Sequence, residues 1–278
     1  MKLWAISDLH VGYRANREAL ATLPSYGDDW VILAGDVGET EEHLAFTLGI
    51  FRERFARVLW VPGNHELWTL TGEPRGEAKY QLLVDLCRRH GVLTPEDPYP
   101  TWDGEGGPHV IAPLFVLYDY SFRPEDVPLE GALAWAEKEL GGMPDDEYRL
   151  HPDPYPTRAA WCAARVALTE QRLSALDPAA RLVLVNHFAL DERLLRLWRI
   201  PRFSLWCGTK KTSDWHVRYP VDVVVHGHTH MRATMLLDGV RFEEVSLGYP
   251  RHWMQDRGAA AYLRQILPAP ATPWVERR

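Results

Sequence analysis

One stretch decides the fold of this chain: Val221-Asp222-Val223-Val224-Val225-His226-Gly227-His228-Thr229-His230. Its first half is a β-branched run typical of a buried strand, and its second half places three histidines in the turn that follows. Neutral imidazole is the commonest nitrogen ligand for a transition metal. The stretch therefore predicts a metal site just beyond a strand, and the alternative is an ordinary polar turn. Partner ligands elsewhere in the chain decide between the two.

Four further predicted strands also end in residues that can bind a metal. The apolar runs are at 3–6, 30–34, 58–61 and 181–185. After them stand Asp8 with His10, Asp36, Asn64 with His65 and Glu66, and Asn186 with His187. In open α/β sheets, ligands bind beyond the carboxyl ends of the strands, so we expect these side chains to converge. For Asp8 alone, a role as N-cap of the helix expected from Asn16 is an equal alternative.

Length and composition fit one large α/β domain over residues 1–278. Hydrophobic residues make up 46% of the chain and charged residues 25%, which excludes a disordered protein. The net charge of −7 argues against a nucleic-acid partner. The three scattered cysteines indicate a reducing compartment without disulfides. Because no signal peptide and no apolar run of membrane-spanning length is present, we expect a cytoplasmic protein with no membrane partner.

The connecting segments give further predictions. Helical patterns occupy 41–54, 76–89 and 157–176, with shorter helical residues at 192–198. Residues 94–156 are rich in Pro and Gly and contain a predicted strand at 109–115 and a predicted helix at 129–140. We interpret 94–156 as an insertion at the rim of the site and a candidate lid; a surface elaboration with no chemical role is the alternative. Asp238-Gly239 predicts a β-hairpin.

The polar residues at the strand ends form a consistent ligand set. It comprises Asp8, His10, Asp36, Asn64, His65, His187, His228 and His230. Carboxylate, amide oxygen and imidazole together suit Mn, Fe, Zn or a similar divalent ion, and the lack of a thiolate argues against a structural zinc site. This set is too large for one ion. Two ions that share a carboxylate are therefore the simplest arrangement.

The order of these residues resembles the calcineurin-like metallophosphoesterase superfamily. The matching pieces are Asp8-x-His10, Gly35-Asp36, Gly63-Asn64-His65-Glu66, Asn186-His187 and Gly227-His228-Thr229-His230. They run in the expected order from residue 3 to about 250, each after a predicted strand. The resemblance implies an α/β fold, a four-layer αββα sandwich of two mixed β-sheets flanked by helices. The 94–156 insertion would lie near the active-site rim of this single metallophosphoesterase domain.

The resemblance also implies two groups of ligands for two divalent metal ions, most simply Mn, Fe or Zn. The first ion would be held by Asp8, His10 and His230. The second would be held by Asn64, His187 and His228, and Asp36 would bridge the pair. Two such cations generate a bridging hydroxide from water at neutral pH and clamp phosphate oxygens. The implied reaction is hydrolysis of a P–O ester, by a phosphodiesterase or phosphatase acting on a small-molecule or nucleotide ester.

Asp36, as the bridging ligand, and His65, on the leaving-group side, are the catalytic residues that the resemblance implies. Glu66 could orient His65, or it could be a solvated acid at a helix start. His226 could contact substrate or support the site, or it could be structural. Further candidates for phosphate contacts are Arg14, Lys210, Lys211, Arg251 and His252. For these, an ordinary solvated charge is the alternative.

The chain departs from one subgroup of the superfamily. The protein phosphatases of the superfamily have Asp-Arg-Gly at the bridging aspartate and an Arg before Gly-Asn-His. In this chain Val37 follows Asp36, and Pro62 precedes Gly63. This weakens a protein phosphatase interpretation and favours the broader bacterial-type phosphoesterases. A nuclease would need a basic groove, which the net charge disfavours. A non-catalytic scaffold would be expected to have lost ligands, and here each one is present.

Overall fold

The computed structural model describes residues 1–274 and contains two mixed β-sheets. In chain order the strands are β1 (Leu3–Ile6), β2 (Trp30–Leu33), β3 (Arg57–Trp60), β4 (Thr101–Trp102), β5 (His109–Pro113), β6 (Leu182–Val185), β7 (Val221–His226), β8 (Ala233–Leu237), β9 (Val240–Glu244) and β10 (Arg264–Leu267). The first sheet has the order β10-β1-β2-β3 and the second β4-β5-β6-β7-β9-β8. Inner strands run parallel, whereas β10, β4 and β8 run antiparallel to their neighbours.

Helices connect the strands. They are α1 (Arg14–Ala21), α2 (Glu41–Arg54), α3 (Asn64–Leu67), α4 (Gly76–Arg89), α5 (Ala132–Leu140), α6 (Asp146–Arg149), α7 (Arg158–Ser174) and α8 (Trp215–Arg218). Thr40 and Thr157 begin α2 and α7 as N-caps, because each hydroxyl accepts a hydrogen bond from the amide three residues on. The predicted helices at 41–54 and 76–89 are confirmed, and the one at 157–176 is slightly shorter than predicted. Among the helices of residues 1–274, none is long and apolar enough to cross a membrane.

The apolar core forms two clusters, because the strands are buried on both faces. In β6, Val183 and Val185 belong to a cluster drawn from strands of both sheets and their flanking residues, so they lie between the sheets. Leu182 and Leu184 of the same strand belong to the larger cluster that includes the helices. Successive residues of a strand point to opposite faces. The predicted four-layer αββα sandwich is therefore confirmed.

A buried ion pair joins β9 of the second sheet to β10, an edge strand of the first. Glu243 of β9 is fully buried and accepts hydrogen bonds from Arg264 of β10 at 2.9 and 3.0 Å. Arg241 also donates to Glu243, at 2.6 Å, and to the backbone oxygen of Ile266. Paired donors on both carboxylate oxygens offset the desolvation of a buried charge. This ion pair therefore holds the two sheets together where β9 faces β10.

The sheets also meet at their carboxyl ends. The Ser7 amide donates to the Val245 oxygen at 3.0 Å, and the Leu247 amide donates to the Ser7 oxygen at 2.8 Å. These bonds form an isolated parallel bridge between Ser7 and Ser246. The loop after β1 is therefore fixed against the chain that follows β9, and this junction lies directly under the predicted ligands.

Two predictions about connecting segments require correction. Within 94–156, β4 pairs with β5 and β5 pairs in parallel with β6, so a single insertion over the whole of 94–156 is wrong. An insertion or lid formed by 114–156 stays a prediction. The predicted helix over 192–198 is wrong, since only Glu192–Leu194 forms a turn of 3₁₀ helix and Leu195 is already extended. The Asp191 carboxylate accepts the amide of Arg193 and closes that short turn. The hairpin at Asp238-Gly239 is confirmed, with positive φ at both turn residues.

Candidate metal centre

The loops after five parallel strands bring the predicted acidic and histidine ligands together. Three groups have ligand atoms that all lie within 4.8 Å of one another: Asp8, His10 and His230; His10, Asp36 and His65; and Asp36, His187 and His228. We call these residues together with Asn64 the metal centre. Asp36 belongs to two of the groups. The arrangement has the carboxylate and imidazole donors that a pair of transition-metal ions takes.

The first group has one carboxylate oxygen facing two imidazoles. Asp8 Oδ1 lies 2.9 Å from His230 Nε2, and that nitrogen lies 3.2 Å from His10 Nε2. The other oxygen, Oδ2, accepts hydrogen bonds from the hydroxyls of Ser7 and Ser246 at 2.6 and 2.7 Å. One face of the carboxylate is therefore fixed by donors and the other is presented to the two histidines.

The alternative role of Asp8 as a helix N-cap is wrong. Helix α1 begins at Arg14 and its N-cap residue is Tyr13, without a side-chain hydrogen bond. Asp8 Oδ2 instead accepts the backbone amide of His228 at 3.0 Å, so it also fixes the loop after β7. The carboxylate serves the junction of two loops rather than a helix end.

The third group, together with the neighbouring Asn64, shows the clearest fit to a cation. Asn64 Oδ1, His187 Nε2 and His228 Nε2 are buried atoms without a hydrogen-bond partner among residues 1–274. The opposite atoms of two of these side chains are held, because Asn64 Nδ2 donates to Asp146 Oδ1 and His187 Nδ1 bonds the Ala34 oxygen, both at 2.9 Å. An unpaired buried polar atom costs about 1–3 kcal/mol. A bound cation would satisfy all three.

Asp36 lies between the first group, Asp8 with His10 and His230, and the pair of His187 and His228. Its Oδ1 accepts the backbone amide of His65 at 3.0 Å. Its Oδ2 lies 3.4 Å from His187 Nε2 and 3.8 Å from His65 Nε2. The position and the remaining acceptor capacity suit a carboxylate shared by two cations, which is the role that the sequence predicted for it.

Glu66 holds the backbone around Asp36. It is buried, and its two oxygens accept the amides of Asp36, Val37 and Gly63 at 3.0, 2.8 and 3.0 Å. Burial, with the nearby Asp36 carboxylate, raises the pKa of Glu66 to about 7. The alternative of a solvated acid is therefore wrong. Glu66 positions Asp36, the predicted bridging ligand, by joining the loops after β2 and β3.

Backbone strain is concentrated at the ligands. Five of them have positive φ: Asp8 (53°), His10 (41°), Asp36 (52°), His228 (72°) and His230 (54°). This left-handed region costs a non-glycine residue about 1–3 kcal/mol. Packing is tight as well, because a Cβ on Gly227 would lie 2.2 Å from Ser7 Oγ and 2.4 Å from Asp8 Oδ2. Strain of this kind persists only where the surrounding structure imposes it, as at functional sites.

The histidines divide into two electrostatic classes. Burial disfavours the imidazolium of His187, but Asp36 outweighs it and raises the pKa to about 10. Burial and the neighbouring charged histidines lower the pKa of His10 and His228 to about 3. Coulombic attraction from His187 and His65 also holds the pKa of Asp36 below its usual range against burial. The proton on His187 thus balances the negative charge of the buried carboxylates. Bound cations would supply the same positive charge.

His65 lies at the edge of the metal centre and is held by contacts of its own. Its Nδ1 lies 3.3 Å from Glu39 Oε1, and its ring packs on Trp68 with centroids 3.8 Å apart. Burial opposes its charged form, but Asp36 and Glu39 raise the pKa of His65 to about 9. Cations bound nearby would oppose this shift, since they repel an imidazolium. Nε2 is left as the ring atom that faces the metal centre.

Three of the predicted substrate contacts are engaged elsewhere. Arg14 is exposed and pairs with Glu18 on α1 at 2.7 Å. Lys211 pairs with the buried carboxylate of Asp119 at 2.5 Å, and Lys210 Nζ lies 3.5 Å from a Glu192 oxygen. Within residues 1–274, no contact joins these three side chains to the metal centre. Their role in substrate binding stays a prediction that these ion pairs do not favour.

The other three differ in position. His226 is buried at the end of β7, so its side chain is closed to a substrate and its structural alternative is favoured. His252 Nδ1 lies 3.0 Å from His230 Nδ1, and Arg251 Nε donates to His252 Nε2 at 3.1 Å. His252 therefore contacts the predicted ligand His230, and Arg251 lies beside it on a side open to solvent.

Three supporting residues were not predicted from the sequence. Asp146 fixes the amide of Asn64, Glu39 contacts His65, and the Tyr249 ring packs on His10 and His230 with centroids 4.5 and 4.8 Å apart. Glu39 had a signal, since it follows Asp36 in the same loop. Asp146 lies in the Pro- and Gly-rich segment, and no periodic pattern predicts the path of that segment to the site.

Comparison with known proteins gives consistent findings. The family model of the calcineurin-like phosphoesterases matches residues 1–232. The chain is 50% identical over 272 residues to the [acyl-carrier-protein] phosphodiesterase PptH of Mycobacterium tuberculosis (strain ATCC 25618 / H37Rv), covering 96% of this chain and 84% of that protein. It is also similar to the crystal structure of phosphopantetheinyl hydrolase (PptH) from M. tuberculosis, with a TM-score of 0.92, 49% identity and coverage of 98% and 97% of the two chains.

Replacing Asp146 should weaken one of two metal positions. In Asp146→Ala, the Asn64 amide loses the acceptor that keeps Oδ1 turned to the metal centre, so we expect manganese affinity at one position to fall about 10–100-fold. Isothermal titration with Mn²⁺ measures both positions. The control is Asp145→Ala, whose carboxylate is exposed and lies 3.7 Å from Arg149. Two unchanged affinities in a folded Asp146→Ala protein would remove Asp146 from this role.

Proposed function

The chain belongs to the calcineurin-like phosphoesterase family and is a phosphoric ester hydrolase, and from this premise we propose that it is an acyl-carrier-protein phosphodiesterase. Its substrate would be the phosphodiester that joins 4′-phosphopantetheine to a serine of a carrier protein. One observation carries the proposal: 50% identity over 96% of the chain to a relative with that name. The ligands of the metal centre all lie within the stretch that matches the family.

The reaction requires a nucleophile, charge stabilisation and a proton for the leaving group. When bound, the two divalent ions supply hydroxide at neutral pH and neutralise charge on the phosphate. The donor set of Asp8, Asp36 and the histidines suits Mn, Fe or Zn. An oxygen from water forms the new bond to phosphorus, and the bond from phosphorus to the serine oxygen breaks. The products are the carrier protein with a free serine and 4′-phosphopantetheine.

His65 is suited to protonate the departing serine oxygen. Its Nδ1 faces Glu39 Oε1, which orients the ring and stabilises the imidazolium, and its Nε2 faces the centre near Asp36. Trp68 packs on the ring and shields it from water on that side. An alkoxide is a poor leaving group, so proton donation in the transition state contributes typically about 10²–10⁴-fold to the rate.

The direct test is removal of the phosphopantetheine arm. We expect the purified enzyme with Mn²⁺ to convert a holo carrier protein into its apo form and to release 4′-phosphopantetheine. Intact-protein mass spectrometry measures the conversion. Bis(p-nitrophenyl) phosphate serves as a generic diester that reports a working metal centre. An enzyme that hydrolyses this generic diester and leaves holo carrier protein intact would exclude the proposed substrate.

Replacing His65 should separate acid catalysis from metal binding. In His65→Ala we expect both ions to remain and kcat with holo carrier protein to fall about 10²–10⁴-fold. The loss should be smaller with bis(p-nitrophenyl) phosphate, because p-nitrophenolate leaves without needing a proton. Metal analysis accompanies the kinetics. Since His65 lies within one ligand group, loss of an ion, or equal losses on both substrates, would instead assign it to metal binding.

A further inference from the structure

A cavity of about 890 Å³ opens beside the metal centre, and His230 forms part of its wall. Its other walls include His252, Trp253, Met254, Tyr262 and Trp274. We propose that this cavity, which we call the arm pocket, binds the pantetheine part of the substrate. The inference rests on the proposed function, because it names the place of the group that remains on phosphorus.

The position of the arm pocket follows from the order of the rings across the centre. His65 packs against His10 with centroids 4.6 Å apart, and His10 lies 5.1 Å from His230. His230 in turn lies 5.1 Å from His252, in the pocket wall. Among residues 1–274, no ring contact joins His65 to His230 or His252, so the pocket begins at a ring that packs on His10 but not on the proton donor. A leaving serine at His65 requires the other ester substituent to extend away from His65, and the pocket lies in that direction.

The walls match the chemistry of the arm. Trp253 and Tyr262 are almost fully buried, whereas Met254 is 51% exposed at the edge. These apolar surfaces suit the dimethyl and methylene groups of pantetheine. The volume lies within the range of about 300–1,000 Å³ that small-molecule sites occupy.

Two arginines at the pocket remain available to an anionic ligand. Arg232 is not one of them, because it donates to the backbone oxygens of Ser246, Leu247 and His252. Arg251 lies over the Tyr249 ring at 5.3 Å and, like Arg257, has no ion pair with a carboxylate in residues 1–274. Arginine binds phosphate oxygens with several donors at once. Because Arg251 donates to His252, and His252 lies 3.0 Å from His230, the phosphate end of 4′-phosphopantetheine belongs at the His230 end of the pocket.

The test uses product inhibition of bis(p-nitrophenyl) phosphate hydrolysis, which does not depend on a carrier protein. We expect 4′-phosphopantetheine to inhibit competitively. Met254→Trp narrows the pocket and should raise this inhibition constant, and KM for holo carrier protein, by about tenfold or more. The rise in KM for the generic diester should be smaller, because its remaining p-nitrophenyl group is much shorter than the pantetheine arm. Arg251→Ala should raise the inhibition constant for 4′-phosphopantetheine more than that for pantetheine, because Arg251 lies at the His230 end of the pocket. Leu236→Trp, at an exposed site outside the pocket, is the matched control.

The outcomes separate the pocket from the function. An unchanged inhibition constant in both pocket variants would overturn the arm pocket. A higher KM for holo carrier protein with unchanged inhibition would also overturn it, and would assign the surface to the carrier protein. Failure to cleave holo carrier protein, with inhibition by 4′-phosphopantetheine that Met254→Trp weakens, would uphold the pocket and reject the proposed function.

Discussion

Two buried carboxylates, Asp8 and Asp36, impose the constraint on which the structure depends. Each has one oxygen fixed by protein donors, and the other oxygen lies within 3.4 Å of an imidazole nitrogen. An isolated carboxylate in such an environment would be strongly destabilising, so compensating positive charge is required. Raised pKa values at His187 and His65 supply it as protons, against the effect of burial. Divalent cations would supply it more fully and would also satisfy the unpaired atoms of Asn64, His187 and His228.

The fold brings these charges together at some energetic expense. The junction between Ser7 and Ser246 fixes the ends of two sheets, and both hydroxyls donate to Asp8. Glu66 fixes the loop of Asp36 through three amides. Five ligands adopt left-handed backbone conformations that only a rigid surrounding enforces. A rigid, strained first layer of ligands is what a preorganised site for charge stabilisation requires.

Much of this arrangement could be predicted from the sequence, and the reasons for the rest are physical. Strands, strand ends and their polar residues follow from apolar runs, and ordered ligand motifs identify the family. The supporting contacts of Asp146 and Tyr249 depend on long loops whose path has no periodic signal. The sequence leaves Glu66 with two alternatives, because tertiary packing decides whether an acid at a helix start is buried. The strand His109–Pro113 was assigned to an insertion because its partner, β6, lies far along the chain.

The arm pocket and the metal centre share His230, so the account treats metal binding and substrate placement as parts of one site. Its central claim is that Asp36 lies between two cations. Anomalous diffraction from a crystal grown with Mn²⁺, recorded at the manganese absorption edge, tests it most directly. The account predicts two peaks, one among Asp8, His10 and His230 and one among Asn64, His187 and His228, with Asp36 contacting both. A single peak, or peaks that Asp36 does not join, would contradict it.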